Sequence, residues 1–319
     1  MRHFFANFIA MFFISKKLRR RIRCAIMRTK NQKSDDLEKK YNYLKSEWLT
    51  KNNGKLLLPG RFSEYDLIFA IGATCHTTNL LDYFKLRRFT SPFDWTGGKI
   101  PVNWYEKQGL YRDSQFHTKI QSLFDNFKDW TNPENFEYIS QLIPLHIHHH
   151  YVINIKTKIR HLHDFPVEQD IIQYMPEFMK KMHKRIDYLY NAINESKKIL
   201  VIWISNIWDQ RALLEQNVSD KDIKWAVEKI NKIYPNKMFD FVFFEHDGSK
   251  ERFKYEKIEV APGAFRIKSN HFFNDSEYDF LHPVRPEHNH IHVISEALDN
   301  IHLSKDAFKL KKSEANIES

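Results

Sequence analysis

The sequence predicts an α/β protein, three layers deep, in which helices cover both faces of one mostly parallel β-sheet. Three continuous apolar runs, at residues 67–71, 199–204 and 239–244, are typical of strands that are buried on both faces. Segments with apolar residues at helical spacing separate these runs, and parallel strands need such crossover connections. We therefore expect the three runs to be strands of the same sheet.

Strands and helices alternate along the chain in this prediction. The first run ends at Gly72, and a helical pattern follows over residues 77–86. A long helix, interrupted near Pro176, precedes the second run, because proline removes a helical hydrogen bond. A helix capped by Ser219 or Asp220 precedes the third run. The remaining predicted elements are a strand over residues 257–260 and an amphipathic closing helix after residue 283.

Composition and length predict one catalytic-type domain with extensions at both ends. Hydrophobic residues make up 42% of the 319 residues and aromatic residues 15%, which excludes a disordered chain. Two cysteines cannot build a disulfide framework, so we expect a reducing compartment. The predicted units are an N-terminal amphipathic helical arm at residues 1–30, a helical linker at 31–55, the α/β domain at 56–304 and a flexible tail at 305–319.

The formal net charge of +10 is concentrated in the arm, where eight lysines and arginines fall between residues 16 and 30. Residues 3–14 are apolar but too few to span a bilayer, and the basic cluster follows them, unlike in a secretory signal. Apolar residues form one helical stripe opposite the arginines, so residues 3–30 are predicted to bind the surface of the inner membrane from the cytoplasm. A docking helix is the alternative. Nucleic acid is not an expected partner, because the aromatic residues here form an apolar block.

The stretch from Tyr65 to His76 places a cysteine between a buried strand and a helix. Gly72 ends the strand, and Cys75 falls where the helix begins. The free N–H groups and the dipole of a helix N-terminus stabilise a thiolate and can hold an oxyanion. Cys75 is therefore the candidate nucleophile, and Gly72, Thr74 and His76 are candidates for substrate binding.

Polar residues also follow the other predicted strands, and ligands of open α/β sheets bind outside the carboxyl ends of the strands. Asn206 follows the second strand and Glu245 the third, so both are candidates for substrate binding. A thiol needs a base within hydrogen-bonding reach, and the candidates are His163 and His282. The carboxylates that would orient such a base are Asp164, Asp94 and Asp279.

A histidine-rich segment at residues 146–150 raises the question of a metal site. Alternation would place His146, His148 and His150 on one face of a strand. No cysteine or carboxylate accompanies them at a familiar zinc spacing, so we expect a histidine-rich strand edge or loop, with no metal and no cofactor.

Four motifs resemble a known family when taken together. They are Ile-Gly-Ala-Thr-Cys at residues 71–75, Leu-Arg at 86–87, Pro-Phe-Asp-Trp at 92–95 and His-Asp-Phe at 163–165. They resemble a bacterial family of unknown function described as papain-like cysteine peptidases, over roughly residues 63–205. The resemblance implies Cys75 as the nucleophile, His163 as its partner and Asp94 in or near the site. Arg87 and Trp95 belong to the same motifs and are candidates for substrate binding.

The C-terminal third has a resemblance of its own. Asn206 after a middle strand, and Asp-Phe-Leu-His-Pro at residues 279–283 before a closing helix, are similar to SGNH-type esterases and the related GSCFA family. This similarity implies that Asp279 and His282 complete a triad in which Cys75 replaces serine. The fold expected from these resemblances is Rossmann-like or SGNH-like.

These observations predict a cysteine-dependent acyl-type hydrolase or transferase at the cytoplasmic face of the membrane. The resemblance implies a setting in cell-envelope polysaccharide biosynthesis, with an envelope glycan or peptide as substrate. One alternative is a glycosyl- or phosphoglycosyl-transferase in which Asp94, Glu245 and the histidines bind a sugar nucleotide and Cys75 is structural. A non-catalytic scaffold is the other alternative.

Overall fold

The computed structural model describes residues 46, 63–72, 76–97, 115–138, 149–161, 163–205, 217–247, 255–269, 292–305 and 307. The strands are β1 (Glu64–Tyr65), β2 (Leu67–Ala70), β3 (Phe136–Tyr138), β4 (Val152–Asn154), β5 (Arg160–His161), β6 (Lys198–Ile204), β7 (Met238–His246), β8 (Tyr255–Ala261), β9 (Ala264–Ser269) and β10 (His302–Leu303). The helices are α1 (His76–Tyr83), α2 (Phe116–Ser122), α3 (Ile171–Glu195), α4 (Asp220–Ile233) and α5 (His292–Asp299).

The main sheet has the strand order β2-β6-β7-β9-β8. Neighbouring strands from β2 to β9 are parallel, and β8 is antiparallel to β9. Leu67 pairs with Ile199, which pairs in turn with Phe239, so the three apolar runs are adjacent strands in one register. The prediction of an α/β protein with a mostly parallel sheet is confirmed.

Strand β9, which lies between β7 and β8 in the sheet, was not predicted from the sequence. Its connection to β8 is a tight turn in which Gly263 has a φ of 82°, a left-handed conformation that glycine adopts without steric cost. The predicted strand over residues 257–260 is confirmed as part of β8, and its exposed charged residues suit the edge of the sheet. A hairpin therefore ends the sheet where only a single strand was expected.

The predicted interruption of the long helix near Pro176 is wrong, because α3 runs through this residue. Asp170 caps its N-terminus by accepting a hydrogen bond from the Gln173 N–H. Pro176 removes one backbone hydrogen bond near the start of the helix. The apolar face of α3 beyond it, from Phe178 to Ile193, is buried in the core and offsets that loss. Ser219 caps α4 as expected, accepting from the Asp222 N–H.

Alternate residues of β2 and β6 belong to two separate apolar clusters. Phe69 and Trp203 belong to the cluster that includes buried residues of α2, α3 and α4. Ile68 and Leu200 belong to a second cluster with buried residues of α1 and of the closing helix α5. This alternation explains why the strands are apolar throughout, since both sides of each are covered.

A second, antiparallel sheet of order β3-β4-β5 carries the segment that leads to His163. Thr96 forms a β-bridge with His161 of β5, and the Gly97 N–H donates to the Arg160 carbonyl at 2.9 Å. The loop with the Pro-Phe-Asp-Trp motif is thereby attached to this small sheet.

The predictions for the two ends of the chain lie largely outside the described residues. This applies to the arm at 1–30, to the linker at 31–55 except for the helical Ser46, and to most of the tail at 305–319. None of the helices in the described part of the chain has the length and apolar character needed to cross a membrane.

Candidate functional site

Gly72, which follows β2, is closely packed against α1 and β6. A Cβ atom added to Gly72 would lie 2.1 Å from Thr77 Oγ1 and 3.2 Å from the Ile204 nitrogen. Only glycine therefore allows the strand end to approach both the first turn of α1 and the neighbouring strand β6. Cys75 and Thr74 lie outside the described residues, between Gly72 and the start of α1 at His76.

Lys119, a buried lysine that was not predicted to belong to the site, contacts Gly72. Lys119 of α2 has no exposed surface, and its Nζ donates to the Gly72 carbonyl at 2.7 Å and to Thr96 Oγ1 at 3.1 Å. Burial and the nearby Arg160 lower the pKa of Lys119 to about 7, against the opposing effect of Asp94. The spacing of Lys119 with the buried Phe116 and Ile120 was the one clue in the sequence, since the three share a helical face.

Asp94 links the Pro-Phe-Asp-Trp loop to α1. Its carboxylate is 2% exposed and accepts hydrogen bonds from Thr78 Oγ1 at 3.0 Å, the Ser91 N–H at 2.9 Å and Arg87 Nη1 at 3.2 Å. Burial raises the pKa of Asp94, and the charge of Arg87 opposes this shift. Asp94 therefore lies beside the first turn of α1. Its oxygens accept hydrogen bonds from the loop and from α1, so Asp94 positions these two segments.

The guanidinium of Arg87 is also hydrogen-bonded to other side chains of the protein. Its guanidinium makes two hydrogen bonds of 2.6 Å to Asp82, and Nη1 also contacts Thr90 Oγ1 and Asp94, each at 3.2 Å. The guanidinium carbon lies 5.9 Å from the centre of the Trp95 ring. Arg87 therefore holds the loop in place, and these contacts use four of its five N–H donors.

His163 lies against the same loop. Its ring centre is 5.7 Å from that of Trp95 and 5.7 Å from that of His149, in edge-to-face arrangements. Trp95 has a φ of 64°, a left-handed conformation that is uncommon for a bulky residue and marks a constrained turn. The structure thus places His163 against the loop that contains Asp94.

Asp164, one of the three carboxylates considered as the group that orients the base, is hydrogen-bonded to His161 and Arg185. Asp164 accepts from His161 Nδ1 at 3.0 Å and from Arg185 Nη1 at 2.9 Å, so each of its oxygens is bonded to another residue. Burial favours the neutral acid, but Arg185 and His161 outweigh it and hold the pKa of Asp164 well below its ordinary value. Asp164 therefore orients His161, which is fully buried among aromatic rings. His161 lies three residues before Asp164, and this spacing was the feature of the sequence that could have predicted the pair.

Glu245 forms structural contacts at the end of β7. The carboxylate is fully buried, accepts from the Val218 N–H at 2.7 Å and pairs with Arg266 Nε at 2.8 Å. Arg266 also bonds to Asp220 and to the Val218 carbonyl, so this network anchors the start of α4. Burial raises the pKa of Glu245, and Arg266 opposes the shift. The contacts of Glu245 in the described part of the chain are thus structural, and its substrate-binding role stays a prediction.

Several predicted site residues lie outside the described part of the chain. They are Cys75, Thr74, Asn206, Asp279, His282, His146, His148 and the side chain of His76. Among the described residues, no group of three or more histidine, cysteine, aspartate or glutamate side chains is arranged to hold a metal ion.

Comparison of the chain with family models, with curated proteins and with solved structures gives no significant match. The functional proposal below therefore rests on the fold and on the residues around Gly72.

Proposed function

We propose that this protein is a cysteine-dependent acyl hydrolase or acyltransferase with Cys75 as its nucleophile. One observation carries the proposal: three segments that are distant in sequence meet beside the end of β2. Thr78 of α1 donates to Asp94, and Trp95, next to Asp94, packs on His163. These are the segments whose motifs resemble the papain-like family. The finer fold that we expect is a three-layer, Rossmann-like or SGNH-like arrangement.

The proposed reaction begins with transfer of the thiol proton to His163 or His282. The thiolate attacks the acyl carbon, and backbone N–H groups that follow Gly72 hold the oxyanion. The protonated histidine then returns its proton to the leaving group, and a thioester forms on Cys75. Water or a hydroxyl acceptor gives its proton to the same histidine and displaces the thiol, which regenerates the enzyme.

The sugar-nucleotide alternative has less support from the site. It needs carboxylates that are free to bind a ligand or a metal, but Asp94 and Glu245 are each bonded to an arginine and to backbone N–H groups. We propose an envelope glycan or peptide as the acyl substrate and the cytoplasmic membrane surface as the setting. The basic amphipathic arm at residues 3–30 is the sequence feature that supports this setting.

Limited labelling of the folded protein with iodoacetamide, read by mass spectrometry over about pH 5 to 9, tests the nucleophile. We expect Cys75 to label with an apparent pKa clearly below the value of about 8.5 for a free thiol. Cys24 is the internal comparison within the same chain. An ordinary thiol pKa at Cys75 would overturn the proposal.

The same measurement on His163→Ala and His282→Ala identifies the base. Loss of the base removes the imidazolium partner of the thiolate, so the labelling midpoint of Cys75 rises in one variant. His302→Ala is a matched control, because His302 is an exposed histidine of β10. Full cellular function of a Cys75→Ala protein would favour the scaffold alternative instead.

A further inference from the structure

Two apolar side chains are exposed at the end of the main sheet where its parallel strands begin. Ile233, the last residue of α4, is 45% exposed, and Met238, the first residue of β7, is 55% exposed. The turn at residues 234–237 joins them, and its Lys237 N–H donates to the Tyr234 carbonyl at 3.1 Å. Neighbouring exposed apolar residues with a polar rim are typical of an interaction surface.

Lysines surround these two apolar residues. Lys232 and Lys237 are adjacent to them in sequence, and the Lys197 carbonyl accepts from the Met238 N–H at 2.8 Å. Lys197 and Lys232 are exposed. The Nζ of Lys237 donates to two carbonyls at the end of α3, at 2.8 and 2.7 Å, which holds the turn against this helix. We name the set of Ile233, Met238, Lys197, Lys232 and Lys237 the basal surface.

Three carboxylates lie near the basal surface. Asp66 accepts from the backbone N–H groups of Lys197 and Lys198 at 3.0 and 2.9 Å, which binds this carboxylate to the start of β6. Glu195 is the last residue of α3, and Glu228 is an exposed residue of α4. Because Lys198 adds a fourth lysine, positive charge remains in excess here. Anionic lipid headgroups attract such lysines.

The N-terminal arm joins the domain at this same end. Glu64 of β1 pairs with His302, and Asp66, two residues further on, accepts from the Lys197 N–H. The residues that precede β1, which include the basic amphipathic arm at 3–30, therefore enter the domain beside the basal surface. An arm that is attached to a membrane keeps this end of the domain close to the lipid. A second, weak contact is then strengthened by the high effective concentration.

We propose that the basal surface binds the anionic surface of a lipid bilayer, with Ile233 and Met238 in the interface and the lysines at the headgroups. This inference rests on the membrane setting of the proposed function. Glu245, near the other end of β7, lies roughly 20 to 25 Å from Met238 along the strand. The candidate site at the carboxyl ends of the strands then faces the solution, so its acyl substrate is soluble or projects from the lipid by that distance.

Co-sedimentation of the whole chain with vesicles of phosphatidylcholine and phosphatidylserine tests this contact. The variant Lys232→Gln/Ile233→Gln is expected to lower the binding constant by about 10- to 50-fold, since a lysine near an anionic surface contributes about fivefold and an inserted apolar side chain adds to it. The matched control is Ile172→Gln/Lys180→Gln. It removes an exposed isoleucine and an exposed lysine of α3 at least about 20 Å from the end of this helix that contacts the basal surface, and should bind like the wild type.

The possible failures of the two proposals are distinguishable. Equal binding of the wild-type and Lys232→Gln/Ile233→Gln proteins refutes the basal contact and leaves the membrane attachment of the arm in place. A wild-type chain that does not bind the vesicles removes both, while labelling of Cys75 still tests the nucleophile without lipid. A variant that changes the sedimentation coefficient of the lipid-free protein, but not its binding to vesicles, would show that the surface joins two copies of the chain and would overturn the inference.

Hydrogen exchange provides a second measurement on the unmodified protein. The amide protons of residues 234–238 are expected to exchange more slowly when vesicles containing phosphatidylserine are present, because contact with lipid restricts local opening of the turn. Residues 171–175, at the start of α3, are the internal control and should exchange at the same rate with and without vesicles. Unchanged exchange at residues 234–238 would contradict the contact.

Discussion

Replacing Lys119 with methionine is expected to remove a rise in the free energy of unfolding that the wild-type protein shows as the pH increases above about 7. The pKa of this lysine falls from its ordinary value of 10.5 to about 7 in the folded protein, chiefly through burial. Between these values the unfolded chain holds a proton at Lys119 that the folded chain has released. The unfolded state then binds more protons, so the free energy of unfolding of the lysine protein rises with pH across this window. Methionine binds no proton and lacks this contribution.

The magnitude follows from the proton difference. One proton released on folding changes the free energy of unfolding by about 1.4 kcal/mol per pH unit. From about pH 7 to pH 9, the lysine protein should therefore gain about 2 to 3 kcal/mol relative to the methionine variant. Lys119→Met also loses the hydrogen bonds to Gly72 and Thr96, but that cost does not vary with pH and cancels in the comparison.

Urea unfolding at several pH values measures the difference directly, with stability taken from the midpoint and slope of each curve. Lys128→Met is the control, because its exposed ammonium stays in water in both states. The difference in unfolding free energy between the wild-type and Lys119→Met proteins could instead stay constant from about pH 7 to pH 9. That result would refute the lowered pKa of Lys119 in the folded protein.

Two further predictions concern the packing of the site. Gly72→Ala should lower the free energy of unfolding by about 1 to 3 kcal/mol, because its Cβ would lie 2.1 Å from Thr77 Oγ1, and adding Thr77→Ala should restore part of the loss in thermal unfolding. Asp164→Asn should cost about 3 kcal/mol near neutral pH, because Arg185 then stays largely buried without its carboxylate. Since the pKa of Asp164 is below its ordinary value, this stabilisation is present above about pH 4 and is lost as pH falls further. Equal acid sensitivity of the wild-type and Asp164→Asn proteins would contradict the pairing of Asp164 with His161 and Arg185.

The location of the candidate site was only partly predictable. Gly72, Asp94 and His163 were expected near one another because of the motifs that surround them. Lys119 bonds to Gly72 and to Thr96 of the loop that contains Asp94. Trp95 of the same loop packs on His163. The partner of Asp164 was not predictable, because two histidines lie one and three residues before it. The backbone of β5 and the position of Arg185 on α3 decide between them.

The burial and the charged neighbours of Lys119 and Glu245 were likewise not predictable from the sequence. A lysine in the sequence is usually solvated, and an isolated carboxylate at a strand end is a reasonable ligand candidate. Whether either is buried, and beside which charge, depends on residues far away in the chain, such as Gly72 for Lys119 and Arg266 for Glu245.

The apolar runs of β2, β6 and β7 were by themselves sufficient to predict the α/β class and the parallel core, because the side chains of a strand with two covered faces must be apolar along its whole length. The caps and spacing of α4 are similarly local and were predictable. The β9 hairpin, the continuation of α3 through Pro176 and the partners of every buried charge were decided by tertiary packing. The physical reason is that a buried charge and a strand pairing take their free energy from groups that folding brings together, which the local sequence does not contain.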